Sequence, residues 1–223
     1  MPDRSEFFDN DRMNQTNGEP APTKMRAAQA TPADPQAAAH FPSPCVQRFA
    51  AQLPPGARVL DVACGSGRHL RWLAGQGYAV TGVDRDAAAL APLATLAETL
   101  VADLEGEPWP LPGRRFDGIV VTNYLWRPLW PALRAALADG GMLICETFAA
   151  GHERIGRPSR PEFLLRRGEL LQLCDGLRVL AYEDGFEAAP PRVVQRIAAV
   201  DEPPGAGDPM RWPLAGGPAT GAR

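Results

Sequence analysis

The sequence predicts a single-domain α/β fold with a doubly wound, mostly parallel sheet of seven strands and an antiparallel pair at one edge. Two observations lead to this prediction. Between residues 41 and 200, short apolar runs alternate with segments of helical character, and uninterrupted apolar strands are typical of a parallel sheet covered on both faces. The last run, residues 192–199, alternates like an antiparallel edge strand. Because parallel crossovers are right-handed, the predicted topology is Rossmann-like.

Several elements are predicted in the first half of residues 41–200. They are a helix at residues 43–53, a strand at 58–62, a helix at 69–74 that ends at Gly75, and strands at 79–84 and 100–102. Between the last two strands, Asp86 is placed to cap a helix through a run of alanines. Pro92 must shorten or kink that helix.

The second half begins with a strand at residues 116–121. Leu129, Leu133 and Leu137 follow at a spacing of four, which predicts one face of a helix that stops at the glycine pair 140–141. The remaining elements are a strand at 142–145, a helix at 169–174, and strands at 177–182 and 192–199.

Composition divides the chain into three parts. Residues 1–40 are polar and lack apolar periodicity, so we expect a disordered arm. Residues 41–200 have the length of one ordinary domain. The 223-residue chain contains 24 prolines and 22 glycines. Residues 201–223 are rich in both, and we expect a flexible tail there.

Charge and cysteine content exclude several classes of function. The net charge is −3 and Lys24 is the only lysine, so nucleic-acid binding is not expected. No apolar run is long enough to span a membrane, and the first residues lack the apolar core of a secretion signal. Four widely spaced cysteines predict free thiols in the cytoplasm, and neither they nor the three histidines form a metal-binding pattern.

The ligand-binding residues of such a sheet lie beyond the carboxyl ends of its strands. Asp61 lies in the first strand, and Gly65 and Gly67 follow it in a turn that a ligand can approach closely. The second strand ends at Asp84, whose carboxylate can accept hydrogen bonds from both hydroxyls of a ribose. These positions predict a nucleotide-like ligand.

Two ligand classes fit that pattern, a dinucleotide and S-adenosylmethionine. A dinucleotide site needs a third glycine three residues after the second, and this position is Leu70. Asp61 is also unfavourable beside a pyrophosphate, whereas it suits a ligand that carries an ammonium and a sulfonium. The residues therefore favour S-adenosylmethionine over a nucleotide-dependent oxidoreductase.

A family resemblance agrees with this choice. The segment VLDVACGSGRHLRWLAGQGYAVTGVDRD resembles the first motif and the following acidic strand of class I S-adenosylmethionine-dependent methyltransferases. The later segments ADL, WPLP and FDGI resemble the next two motifs of that family. The similarity covers residues 45–185. Residues 123–167 look closest to small bacterial methyltransferases of the tellurite-resistance type. The resemblance implies methyl transfer to a small molecule such as a thiol, a chalcogen oxyanion or another anionic metabolite.

The resemblance also implies which residues hold the cofactor. Asp61 would lie near its amino group, Asp84 would bind the ribose hydroxyls, and Asp103 would accept from the adenine amine. The complete implied set is Asp61, Gly65, Gly67, His69, Asp84, Arg85, Asp103, Leu104 and Asn123.

No catalytic base is identified by the sequence, and the acceptor side has three candidates. Tyr124 is interpreted either as a wall of the site or as a substrate contact, and Glu146 either as a strand-end cap or as a group facing the acceptor. His152 is either a surface loop residue or part of the acceptor pocket. His69 is expected to orient the cofactor loop rather than to move protons.

Two alternative functions stay open. An RNA or protein methyltransferase is one, although the chain has no lysine-rich face. A non-catalytic module that binds S-adenosylmethionine is the other. Asn123 and Tyr124 lack the intervening Pro-Pro found in enzymes that methylate amino groups of DNA bases or glutamine, which counts against those substrates.

Overall fold

The computed structural model describes residues 41–202, so the predicted arm at 1–40 and almost all of the predicted tail lie outside the described residues. Its strands are β1 Arg58–Val62, β2 Ala79–Asp84, β3 Glu98–Val101, β4 Phe116–Thr122, β5 Leu137–Phe148, β6 Arg178–Ala188 and β7 Pro191–Val200. Its α-helices are α1 Pro44–Ala50, α2 Arg68–Gly75, α3 Ala87–Leu90, α4 Trp130–Ala135 and α5 Glu169–Leu173.

The seven strands form one sheet in the order β3-β2-β1-β4-β5-β7-β6. Strands β1 to β5 are parallel to one another, and β7 runs antiparallel to both β5 and β6. The predicted fold class, including the antiparallel pair at the edge, is confirmed. The strand order reverses between β1 and β4, which is where ligands bind in open sheets of this kind.

Apolar side chains cover both faces of the sheet. One face packs beneath α1, α2 and α3 through residues such as Phe49, Leu70 and Leu90. The other packs beneath α4 and α5 through residues such as Leu133 and Leu170. Within residues 41–202, no helix is both long and apolar enough to cross a bilayer.

The helix predicted across Leu137 is shorter than expected. Helix α4 ends at Ala135, and Leu137 already begins β5 opposite Phe116. The glycine pair therefore lies inside a strand irregularity rather than at a helix end. A Cβ atom on Gly141 would lie 2.7 Å from the carbonyl oxygen of Ala138, so the close approach of two backbone segments requires glycine there.

Other boundaries also differ from the prediction. Strand β3 begins at Glu98, two residues before the predicted start, and α1 ends at Ala50 rather than at residue 53. Strand β6 runs to Ala188, beyond the predicted end at 182. Its outer half is polar and exposed, so hydrophobic patterning carries no signal for it, and pairing with β7 extends it.

Candidate active site

Two residues at the carboxyl ends of adjacent central strands have an unusual backbone. Ala63 follows β1 with a φ of 51°, and Asn123 follows β4 with a φ of 54°. Residues other than glycine seldom adopt this left-handed backbone conformation, and those that do cluster at functional sites. The amide of Asn123 also donates to the carbonyl oxygen of Glu146 at 2.9 Å, which ties the end of β4 to β5.

The turn between β1 and α2 contains two glycines that serve different purposes. A Cβ atom on Gly67 would lie 2.5 Å from the end of the Leu93 side chain, and the φ of +78° at Gly67 is a backbone conformation that other residues rarely adopt. A Cβ atom on Gly65 would meet nothing within 4 Å, which leaves open space above the loop. Gly67 caps α2 without a side-chain hydrogen bond, and the first amides of the helix face the same end of the sheet.

Asp84 connects the ends of β1 and β2. One carboxylate oxygen accepts from the amide of Gly65 at 2.7 Å, and the other accepts from the amide of Asp86 at 2.9 Å. A carboxylate has about four acceptor positions, so both oxygens keep capacity for a ligand. The side chain is partly exposed.

A cavity of about 190 Å³ opens beside Asp84, at the carboxyl ends of β2 and β3. The predicted cofactor residues Asp84, Arg85, Asp103 and Leu104 line it together, and its remaining walls are Ala63, Ala102, Glu105 and Tyr124. The structure thus brings these four predicted residues to one place.

Tyr124 lies in that same cavity, although the sequence placed it on the acceptor side. Its hydroxyl oxygen is buried and has no hydrogen-bond partner among the described residues. Burial raises the pKa of Tyr124, and the charges of Glu105 and Asp103 raise it further. The hydroxyl is therefore a neutral donor, and the Tyr124 side chain forms part of the cavity wall.

Asp61 is buried beneath the glycine turn, with 1% of its surface exposed. Neither carboxyl oxygen has a hydrogen bond of good geometry from the described residues. Burial raises the pKa of Asp61 to about 7, which the amide of Leu70 and the charge of Arg68 offset only in part. A buried carboxyl group without partners is costly, and a ligand ammonium or a bridging water would satisfy it.

His69 forms part of the scaffold around the turn. Its Nε2 accepts from the amide of Ser43 at 3.1 Å, so Nδ1 carries the proton and donates to Thr122 at 3.1 Å. Burial lowers the pKa of His69 to about 3, and the charge of Arg68 contributes. The neutral ring joins α1, α2 and β4, and its contact with the cofactor stays a prediction.

His152 is also fully engaged. Its Nδ1 accepts from the amide of Val193 at 3.4 Å, and its Nε2 donates to the carbonyl oxygen of Arg157 at 3.1 Å. The ring packs on Phe148 with a centroid separation of 4.4 Å. The residue thereby fixes the loop after β5 to β7, and this geometry supports positioning more than acceptor contact.

Glu146 lies at the centre of a buried charge cluster and is fully buried itself. Its Oε2 accepts from Ser43 at 2.7 Å and from Arg196 at 2.6 Å, and its Oε1 pairs with Arg192 at 2.9 Å. Glu187 pairs with the same two arginines. The sequence prediction did not find these arginines, because they lie about fifty residues from Glu146 along the chain and no local motif links them.

The residues present fit S-adenosylmethionine. The unpartnered carboxyl of Asp61 matches an ammonium group, the open space above Gly65 admits a close ligand, and Asp84 retains acceptor positions for hydroxyls. The cavity that contains Asp103 provides room and polar groups for a purine ring.

Comparisons with known proteins agree with this fit. A family model described as a methyltransferase domain matches residues 36–187. No curated protein matches the chain. Among solved structures, TehB from Haemophilus influenzae superposes with a TM-score of 0.60 at 19% identity, covering 70% of this chain and 61% of that one. The chain thus spans about three fifths of that protein.

Two further structures show the same fold. A methyltransferase from Methanosarcina mazei has a TM-score of 0.58 at 18% identity and covers 73% of this chain and 99% of that one. A TehB-like methyltransferase from Corynebacterium glutamicum has a TM-score of 0.53 at 23% identity and covers 74% and 91%. The chain belongs to the methyltransferase-domain family, as a class I enzyme whose cofactor is S-adenosylmethionine.

Proposed function

We propose that the enzyme methylates a small molecule that reacts as an anion, such as a thiolate, a chalcogen oxyanion or another anionic metabolite. One observation carries this proposal. Among the described residues, His69, His152 and Glu146 are engaged in the scaffold, and Cys64 and Tyr124 are held in their protonated forms. Asp61, whose carboxyl oxygens lack partners, is assigned in this proposal to the cofactor's ammonium group.

The candidate bases fail for different reasons. His69 and His152 each use both ring nitrogens in hydrogen bonds within the protein. Burial raises the pKa of Cys64 to about 12, with Asp61 and Asp84 adding to the effect. Burial likewise raises the pKa of Tyr124. A general base must have a free acceptor atom within reach of the substrate proton, so an acceptor that is already deprotonated fits this site best.

S-adenosylmethionine supplies an electrophilic methyl group on a positively charged sulfur. The residues of the chain then have the tasks of binding, orienting and excluding water, and fixed alignment of two reactants is a large source of acceleration. In this proposal Asp61 holds the ammonium group, Asp84 the ribose hydroxyls, and Asp103 with Tyr124 the adenine. Gly65 and Gly67 shape the loop after β1, while Arg85, Leu104 and Asn123 complete the walls of the cofactor site.

The acceptor class and the compartment are supported by charge and by cysteine chemistry. A net charge of −3 with one lysine is unfavourable for binding RNA. The four cysteines are free thiols, which suits a reducing compartment, and we therefore place the reaction in the cytoplasm.

The proposal is tested by measuring formation of S-adenosylhomocysteine with a panel of thiols, selenite, tellurite and small carboxylates. At saturating cofactor, the pH profile for thiols should follow the pKa of each thiol, because no protein base sets it. If the profiles of all thiols showed the same apparent pKa, a protein base would be setting it, and this would contradict the proposal. Turnover with RNA or protein but with no member of the panel would overturn the acceptor class. Asp84→Asn serves as the control with impaired cofactor binding.

A further inference from the structure

A closed ring of buried hydrogen bonds joins α1, α2, β4 and β5 at the carboxyl ends of the parallel strands. Nδ1 of His69 donates to the hydroxyl of Thr122 at 3.1 Å, and Nε2 of His69 accepts from the amide of Ser43 at 3.1 Å. The hydroxyl of Ser43 donates to Oε2 of Glu146 at 2.7 Å. Because Thr122 and Glu146 are register partners in the sheet, these contacts form a ring, and all four residues are buried.

Glu146 is the fixed point of this ring. Its Oε2 also accepts from Arg196 at 2.6 Å, and its Oε1 pairs with Arg192 at 2.9 Å. Its backbone carbonyl accepts from the amide of Asn123 at 2.9 Å. Contacts on both carboxylate oxygens restrict the orientation of a buried side chain. The hydroxyl of Ser43 is therefore bonded to a group that the surrounding protein holds in place.

His69 connects the ring to the cofactor loop, residues 63–67 between β1 and α2. It is the second residue of α2, two positions after Gly67, which caps the helix without a side-chain hydrogen bond. Gly65 and Gly67 both have a positive φ, and glycine gives the loop conformational freedom that ligand binding must restrict. The contacts of His69 hold the amino end of α2 and, with it, the end of the loop.

We propose that Ser43 and Glu146 are positioning residues for the cofactor loop, and that they act on it through the imidazole of His69. Their contacts hold the loop in its binding conformation before the cofactor arrives, which reduces the free-energy cost of binding. Glu146 accordingly serves the cofactor rather than the acceptor, although β5 is the second neighbour of β1 in the sheet. The inference concerns the cofactor alone and does not rest on the proposed acceptor.

The ring is best broken at Ser43, because replacement of Glu146 would leave two buried arginines without their partner. Ser43→Ala removes the hydroxyl, and Ser43→Thr keeps one. Val46→Ala is the matched control, because Val46 lies fully buried in the same helix and outside the ring. Its truncation destabilises α1 and leaves the ring intact. Calorimetry with S-adenosylhomocysteine measures binding to the full chain, and melting temperatures establish that each variant is folded.

Amide hydrogen exchange in the ligand-free protein reports on the loop directly. The amide of Gly65 donates to Asp84, and the amide of Gly67 donates to the carbonyl oxygen of Cys64. The exchange rates of these two amides therefore measure how often the loop opens. A role of Ser43 confined to α1 would leave both rates unchanged.

Ser43→Ala should bind S-adenosylhomocysteine about three- to tenfold more weakly, which corresponds to the loss of one hydrogen bond. The two glycine amides should exchange faster by a similar factor. Ser43→Thr should resemble the wild type in both measurements, and Val46→Ala should lower only the melting temperature. Wild-type affinity and exchange rates in Ser43→Ala would overturn the proposal, as would equal losses of affinity in Ser43→Ala and Val46→Ala.

Two substitutions of His69 test whether the effect passes through its ring. His69→Gln can replace the acceptor at Nε2, whereas His69→Asn can replace only the donor at Nδ1. Adding Ser43→Ala should weaken binding further in His69→Gln but not in His69→Asn, where the contact with Ser43 is already lost. The same additional loss in both backgrounds would show that Ser43 does not act through His69, and the proposal would fail.

Discussion

The carboxylate of Asp84 accepts a 2.7 Å hydrogen bond from the backbone amide of Gly65, nineteen residues earlier in the chain. The end of β2 therefore holds the loop that follows β1. One side chain both shapes the glycine turn and lines the cavity beside it, so the cofactor loop is ordered by the residue that we propose to bind the ribose.

Replacement of Asp84 should weaken cofactor binding without unfolding the domain. Asp84→Asn keeps one acceptor oxygen but loses the charge, and charge-assisted hydrogen bonds contribute about 1.5–3 kcal/mol. We expect S-adenosylhomocysteine to bind at least about tenfold more weakly by calorimetry. Asp117→Asn is the control, because Asp117 pairs with Arg58 at the other end of the strands. Equal affinities for the two variants would mean that the ribose lies elsewhere.

Binding of the cofactor should release protons near neutral pH. The pKa of Asp61 is about 7 in the free protein, and a ligand ammonium favours the ionised carboxylate. At pH 6, titrations with S-adenosylhomocysteine in buffers of different ionisation enthalpy should therefore reveal the release of a fraction of a proton. Asp61→Asn should abolish this release. A buffer-independent enthalpy in the wild type would show that Asp61 does not respond to the ligand.

The same carboxyl group predicts a pH dependence of stability. Its pKa is raised from 3.8 in the unfolded chain to about 7 in the folded protein, so its favourable contribution is present below pH 3.8. That contribution is lost as the pH rises through 7. Compared with Asp61→Asn, the wild type should become progressively less stable between these values in denaturant titrations. A constant difference between the two proteins would contradict the raised pKa.

Gly82 in β2 allows α2 to pack closely against the sheet. It pairs in register with Asp61, and a Cβ atom on it would lie 2.5 Å from Leu70. Gly82→Ala should lower the free energy of unfolding by about 1–3 kcal/mol, the usual cost of overpacking a core. The control is Gly75→Ala, where a Cβ meets nothing within 4 Å, and stability should be unchanged or slightly higher. Equal effects of both substitutions would refute the packing argument.

Acid should destabilise the ion pair between Arg127 and Glu169. Burial would raise the pKa of Glu169, but hydrogen bonds from Arg127 and Arg166 lower it to about 2. Because the unfolded value is 4.5, the stabilisation is present above pH 4.5 and is lost as the pH falls towards 2. In acid titrations monitored by circular dichroism, the wild type should unfold with a midpoint at lower pH than Glu169→Gln.

Removal of one partner at neutral pH gives a second measure of this pair. Arg127→Gln should destabilise the protein by about 3 kcal/mol, because it leaves a buried carboxylate with fewer partners. Glu162→Gln breaks an exposed pair with Arg160 and should cost less than about 1 kcal/mol. Similar losses for the two variants would show that burial of Glu169 has no energetic role.

The parts of the site that follow from topology could be predicted from the sequence. Apolar runs locate the central strands, and parallel strands present their carboxyl ends at one edge. Asp84, Asp103 and Leu104 could therefore be expected at one cavity, where the structure places them. Asn123, next to Tyr124, has a left-handed backbone, and local sequence patterns do not reveal this conformation.

Long-range polar contacts could not be predicted in the same way. The ring of His69 contacts Ser43 and Thr122, which lie 26 and 53 residues away, and no spacing rule connects such positions. The boundary at Leu137 was missed for another reason. Its side chain continues the stripe of Leu129 and Leu133, and tertiary pairing with Phe116 takes precedence over that helical pattern.

The attachment of Ser43 to Glu146 has a practical consequence for how the enzyme is handled. Ser43 lies at the carboxyl ends of the parallel strands. Strand β7 finishes opposite Arg178, and Glu202 pairs with Arg178 at the amino ends of those strands. Immobilisation or labelling beyond residue 202 therefore starts from the end of the strands opposite the cavity. The same attachment made ahead of Ser43 starts from the end of the parallel strands at which the cavity lies. Sensor surfaces and fluorophores for ligand-binding assays are best joined at the carboxyl-terminal side.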